Sequence, residues 1–255
     1  MYSRTCTKNT TYPQVLMKMP PLLFIAIFIL SLLLSPASPQ HPTVDENNQK
    51  LLKLAISWPT SLCNGKTNCK HNDPPDRFSI HGPWPLYRDP LGPNAVDWST
   101  FPVITEAKMK IDWASYGTAT NRKFWDHEWS KHGRVSGLLP PAYFELGLTL
   151  FDRVNLGNHL KSEGTYPEGQ TVNNKDFTAA VSKAAGGKNV ILLCNKDKQG
   201  VTQLYEIDIC FDLTTHAHAY VNCDSSKSSC PDRFRLTKAN SIRSASSTDS
   251  PVHAE

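Results

Sequence analysis

The sequence predicts one exported domain of mixed helix and strand, stapled by disulfides. Helical spacing of apolar residues marks the stretch from Val103 to Ala185, while continuous or alternating apolar runs mark Asn189 to Leu236. Of the seven cysteines, six lie beyond residue 60, an even number suited to pairing in an oxidising compartment. A length of 255 residues suits a single sizeable core.

The elements follow in order. Leu51–Trp58 is an apolar run ending at Pro59, and its length together with the Pro-Thr-Ser turn predicts a strand. A loop carrying Cys63, Cys69 and Pro74-Pro75 leads to Arg77–His81, an alternating strand that delivers His81 to its end, where Gly82-Pro83-Trp84-Pro85 breaks it. Val103, Ile104, Ala107, Ile111 and Trp113 are spaced as on a helix that stops at Tyr116-Gly117-Thr118. The next helix holds Phe124–His132 and is closed by Gly133. Pro140-Pro141 introduces one long amphipathic helix over Tyr143–Leu160, with His159 on its solvated side and Gly164 after its end. Asp176–Ala185 is a shorter helix stopped by Gly186-Gly187. The strands are then Asn189–Cys194, Gln203–Phe211, Ala219–Val221 and Arg233–Leu236, with His216 and His218 as turn residues rather than metal ligands. The domain spans 38–237, and 238–255 is a Ser-rich tail expected to be disordered.

Pro20–Leu34 is an apolar stretch preceded by Met17-Lys18-Met19 and followed by Ser35-Pro36-Ala37-Ser38, the pattern of a signal peptide cleaved after Ala37. Its unbroken run is shorter than the roughly 20 residues a membrane span needs. A start at Met17 or Met19 would leave Cys6 and the Asn9-Thr10-Thr11 sequon out of the product. The 27 Lys and Arg include Arg4, Lys8 and Lys18, all before the apolar stretch, whereas none of the 23 Asp and Glu precedes it. The mature charge is therefore about +1, which excludes a broad nucleic-acid-coating surface but leaves room for a local anion site. Cys63 and Cys69 are close enough to close a small loop, and Cys194, Cys210, Cys223 and Cys230 cluster near the last strands. Six cysteines still allow 15 connectivities.

The chemistry concentrates in Phe124-Trp125-Asp126-His127-Glu128-Trp129-Ser130-Lys131-His132-Gly133. On a helix His127, Glu128, Lys131 and His132 fall within an arc of about 140°. A zinc peptidase needs His-Glu-x-x-His at i,i+4. Here the histidines are at i,i+5, their directions diverge by about 140°, and Lys131 stands where a cation would bind. No metal and no cofactor are therefore expected. Cleavage of RNA through its own 2′-OH fits better. It needs a base for that hydroxyl, an acid for the departing 5′-oxygen, and cationic help for the phosphorane. Two histidines can share the proton work and lysine can meet the charge. Trp84 and Trp125 can stack on bases of single-stranded RNA.

Phe78-Ser79-Ile80-His81-Gly82-Pro83-Trp84-Pro85 and Phe124–Gly133 resemble, in order and separation, the two active-site segments of the ribonuclease T2 family. The similarity extends from Leu51 to Arg235. It implies an α+β fold with a central antiparallel sheet and the pairs Cys63–Cys69, Cys194–Cys230 and Cys210–Cys223. It implies His132 as general base, His81 as general acid, Glu128 and Lys131 at the pentavalent phosphorus, and His127 on the phosphate, with a 2′,3′-cyclic phosphate as product. Residues Glu206–Asp212 resemble the plant branch, which includes pistil self-incompatibility ribonucleases and housekeeping relatives. The expected protein is a secreted or vacuolar monomer acting on single-stranded RNA, free of membrane after signal removal, with a protein partner only in a self-incompatibility role. Three departures stand out. Pro83 replaces leucine, one bridge is missing at both ends (Val135 and Asn94-Ala95-Val96), and the tail is long. They motivate the alternative of a catalytically impaired RNA-binding, storage or recognition protein.

Overall fold

A computed structural model describes residues 49–65, 69, 74–215 and 217–239. The expected signal peptide, Cys6, the sequon, His216 and the tail from 240 onward lie outside these residues. The strands are β1 (Leu51–Ser57), β2 (Ser79–Pro85), β3 (Thr171–Asn173), β4 (Ile191–Lys196), β5 (Thr202–Asp212), β6 (Ala219–Val221) and β7 (Arg233–Arg235). The helices are α1 (Pro59–Gly65), α2 (Val103–Asp112), α3 (Asn121–Lys131), α4 (Pro140–Val154), α5 (Leu156–Ser162) and α6 (Asn174–Ala184). The fold is α+β, with one sheet that is antiparallel except where Gln203 of β5 meets Arg235 of β7.

β5 is the axis of the sheet. β1 pairs with Glu206–Asp212, β4 with Thr202–Asp208 and β6 with Cys210–Asp212. β2 lies outside β1 at the sheet edge, so Pro83 sits opposite Leu54 without removing a ladder donor that a further strand would need. α4 packs on β1 and β2, and a large aromatic core of Trp58, Trp113, Trp125, Trp129, Tyr143 and Phe144 fills the space between sheet and helices. The Trp58 indole also donates to Thr237 O at 2.7 Å, tying the end of β1 to the last described residues, of which Ala239 is buried.

Several elements differ from the sequence expectation. The expected break at Gly82-Pro83-Trp84-Pro85 does not occur, and β2 runs on through Pro85, since prolines on an edge strand cost no bond to a further strand. Pro59, expected to end a strand and open a turn, instead starts α1, because proline at a first helical position loses no intrahelical bond. α2 forms, but it turns Thr105 and Met109 inward. Val103 and Ile104 are 85% and 79% exposed. Periodicity located the helix and not its buried face, since Met109 aligns with Trp113 at i,i+4. The long helix is two, broken at Asn155, whose φ of 45° is left-handed, a conformation asparagine tolerates better than most residues. Gly133 does not cap α3 either. His132 is the cap and Gly133 begins a 3-10 turn, and a Cβ on Gly133 would lie 2.2 Å from the Trp129 ring.

Val135 and Asn94-Ala95-Val96, where the resemblance implies an absent bridge, lie beside a set of hydrogen bonds. Asp89 N donates to Val135 O at 2.9 Å, Gly92 N to Arg134 O at 2.8 Å, and the Trp129 indole to Pro93 O at 2.9 Å. These bonds run between residues 89–93 and 129–135 and so tie the loop just before Asn94-Ala95-Val96 to the segment that holds Val135.

Three disulfides connect Cys63–Cys69, Cys194–Cys230 and Cys210–Cys223, at sequence separations of 6, 36 and 13. If loop entropy dominates, replacing both cysteines by alanine should cost about 2, 4 and 3 kcal/mol respectively. Guanidinium unfolding of the three double variants checks the order, and a largest loss for the Cys63–Cys69 variant would contradict it.

Candidate active site

The site is built where β2, β5 and α3 converge. β1 and β2 slip register between Ala55 and Ile56, so that Ala55 faces Gly82, Ile56 faces Ile80, and His81 is the extra residue of a β-bulge. Bulges re-aim side chains. Here the ring reaches across β1, whose near positions are the small Ala55 and Ser57, to Glu206 on β5, with Nδ1 2.5 Å from Oε2. The backbone of His81 is held as well, since its carbonyl accepts the Trp113 indole N–H at 2.8 Å.

α3 supplies the opposite wall. Thr120 caps it by accepting from Lys123 N, and Trp125, Glu128 and Trp129 form its buried stripe at i, i+3, i+4. That pattern leaves His127 and Lys131 on the exposed side, with Glu128 turned inward and His132 half-buried at the helix end. Glu128 Oε2 accepts the Trp84 indole N–H at 2.8 Å. The closeness of these groups requires Gly82, because a Cβ there would lie 2.3 Å from Glu128 Oε2 and 2.4 Å from Trp84 Nε1. The Trp84 ring stacks on His132 at 4.9 Å and meets His81 edge-on at 4.8 Å. His81, Trp84, Glu128 and His132 therefore form one contiguous group, with His127 and Lys131 on the adjoining helix surface.

The electrostatics separate the two histidines. Burial opposes charge on His81, but the hydrogen bond and charge of Glu206, with the charges of Glu128 and Asp208, outweigh it and raise the pKa above 6.5. His132 goes the other way, pushed down to about 4 by burial and by His81, Lys131, His127 and Lys53. Burial raises the Glu128 carboxyl, against the charges of His81 and His127 and the bond from Trp84. His132 is therefore neutral near neutrality, and His81 keeps its proton to higher pH than His132 does.

Trp125 does not belong to the site surface. It is fully buried and donates to Trp113 O at 2.7 Å, so it cannot stack on a base. An amphipathic helix must bury its aromatic stripe, and Trp125 lies on it. It still serves the site at one remove, through Trp113 to His81. Trp84 is partly exposed, but its indole is engaged by Glu128 and both histidines. The aromatic next to open space is Phe124, stacked near His81 at 6.2 Å and bordering a cavity of about 260 Å³ with Ser57, Leu62, Ile80 and Tyr116.

Sequence reasoning missed Lys53, Glu206 and Asp208 as site residues. Lys53 Nζ lies 2.8 Å from Asp208 Oδ2 and 4.6 Å from the centroid of the Trp84 ring. A signal was available, because Glu206, Asp208 and Cys210 alternate with Ile207, Ile209 and Phe211, and two acids on a strand flanked on both sides need cationic partners. Among the described residues no cluster of three or more His, Cys, Asp or Glu could hold a metal ion, and no helix is long and apolar enough to cross a membrane.

The ribonuclease T2 family model matches residues 49–223. The chain is 33% identical over 178 residues to intracellular ribonuclease LX of Solanum lycopersicum, covering 65% of this chain and 73% of that one. Against extracellular ribonuclease LE of the same plant it is 30% identical over 168 residues, 61% of this chain and 73% of the other, so its relatives include both intracellular and extracellular enzymes. The structure of RNase NT in complex with 5′-AMP is similar with a TM-score of 0.65 at 27% identity, covering 74% of this chain and 98% of that chain. This chain therefore belongs to the ribonuclease T2 family and is an endoribonuclease of that type.

Proposed function

We propose that the protein cleaves single-stranded RNA by metal-independent transphosphorylation, with His132 as base and His81 as acid. The observation that carries this reading is the placing of two histidines against one Trp84 ring, His81 at 4.8 Å and His132 at 4.9 Å, in surroundings that favour the proton on His81 and disfavour it on His132. Neutral His132 takes the 2′-hydroxyl proton as the 2′-oxygen attacks phosphorus. The 5′-oxygen leaves as the phosphorane collapses and takes its proton from His81. Nδ1 of His81 is engaged by Glu206, so Nε2 is the nitrogen left for that transfer. The products are a 2′,3′-cyclic phosphate and a 5′-hydroxyl, and the two histidines exchange roles if water then opens the ring.

Lys131 and His127, exposed on one turn of α3, meet the phosphate oxygens, and Glu128 completes the charge balance of the phosphorane. Phe124 and the cavity beside His81 receive a base. Three disulfides and the apolar leader support export to an oxidising compartment, and the near-neutral mature charge favours general RNA breakdown over a pistil role.

Purified protein lacking the leader should degrade RNA in EDTA, and His132→Ala or His81→Ala should reduce the rate at least about 100-fold, the scale of lost acid–base catalysis. Full activity in His132→Ala would sink the assignment, and RNA binding without turnover by the wild type would favour the impaired alternative. The pH profile has a fixed sign. Activity should rise as His132 loses its proton near pH 4 and fall as His81 loses its own above 6.5, giving an acidic to neutral optimum. Replacing Glu206 by Gln removes the main support for the His81 proton, so the alkaline limb should move to lower pH. A limb that stays in place would show that Glu206 does not act on His81.

A further inference from the structure

The catalytic scheme leaves Lys53 and Asp208 without a role. The Asp208 side chain is fully buried on β5, between β1 and β4, and Lys53 is its ion-pair partner at 2.8 Å. β1 sets Lys53 opposite Trp84 on one flank and Cys210 on the other, which brings the ammonium 4.6 Å from the centroid of the Trp84 ring. The same indole stacks on His132 and meets His81. Two residues before Asp208, on the same face of β5, Glu206 holds His81. A charged pair inside a sheet carries a desolvation penalty that apolar residues would avoid, so stability alone is a weak reason for it. Its contacts lead instead to both histidines.

We infer that Lys53 and Asp208 form a positioning pair for the reaction, in which Lys53 favours neutral His132 through the shared Trp84 and Asp208 anchors Lys53 and joins Glu206 in favouring protonated His81. The inference rests on the acid–base reading proposed above.

The charges around each group come from several elements. His132 faces His81 on β2, Lys131 and His127 on α3, and Lys53 on β1, and all of them disfavour its proton. His81 faces Glu206 and Asp208 on β5 and Glu128 on α3, all favouring its proton. Asp208 is raised to about 6 by burial, with Glu206 adding to this and Lys53 and His81 opposing it. Asp208 is therefore uncharged on the acid limb of the profile and charged on the alkaline limb. The two partners thus act on different limbs.

Profiles of kcat/KM against pH on an RNA oligonucleotide, for the wild type, Lys53→Met, Lys53→Arg and Asp208→Asn, test this. Lys53→Met keeps an apolar chain over Trp84 and should move the acid limb up by about half to one pH unit, the size of one charge at this range in a protein interior. Its alkaline limb should move less, since without the ammonium Asp208 also takes up a proton. Lys53→Arg should restore the wild-type acid limb. Asp208→Asn should lower the alkaline limb by a similar amount and leave the acid limb in place. Folded variants, checked by cooperative melting, whose kcat/KM falls equally at every pH would overturn the inference, because a purely structural pair does that. If Asp208→Asn does not fold, the Lys53 variants suffice, and an unmoved acid limb in Lys53→Met overturns it. A wild type without two limbs would overturn the acid–base reading itself and this inference with it, whereas two limbs unmoved in the variants would overturn this inference alone.

Discussion

Two carboxylates stand in the buried centre of the sheet, Glu206 and Asp208 on β5, and each is met by a nitrogen that reaches it across or along β1. A buried anion without a partner is prohibitively unfavourable, so these positions constrain everything around them. His81 must bulge out of β2 and β1 must be small at Ala55 and Ser57 for the imidazole to arrive. Lys53 must sit between Leu52 and Leu54 of β1 to serve Asp208. His81 is thus part of the solution to a packing and charge problem as much as an attachment to the sheet.

Tryptophan indoles carry the second level of organisation. Trp125 donates to Trp113, and Trp113 donates to the carbonyl of His81, so the core reaches the bulge through two successive hydrogen bonds. Trp129 fastens the loop at Pro93, and Trp84 joins Glu128, His132 and His81. Buried tryptophan needs a partner for its N–H. In this protein those partners lie on the backbone or in the site, so burying the ring also positions functional groups. Gly82 and Gly133 mark the tight points of this arrangement, next to Glu128 and Trp129.

Much of the fold was legible because hydrophobic periodicity is a local property. The strands at Leu51, Gln203 and Ala219 and the helices around Phe124, Pro140 and Asp176 follow from it. Some errors are local, as where Pro59 opens a helix, while the misjudged faces arise because inward direction is set by neighbours distant in sequence. α2 presents Met109 and not Ile104 because Trp113 and α4 lie on that side, and Asn155 breaks a helical run that apolar spacing alone would continue. Trp125 was misplaced because its facing is set by tertiary neighbours, and an aromatic near a histidine in sequence looks the same whether it faces core or solvent.

The residues of the two histidine segments, their spacing, and the consequence that a cation site is unsuited to i,i+5 imidazoles beside a lysine were determined by the sequence itself. Residue type and local helical geometry are enough for those. Only the tertiary structure decided which histidine gives up its proton at the lower pH. That depends on Glu206, more than a hundred residues beyond His81, and on the cations gathered around His132 from β1, β2 and α3. Coulombic and desolvation effects act through space, and the strand pairing that brings these groups together is written in no single stretch of chain.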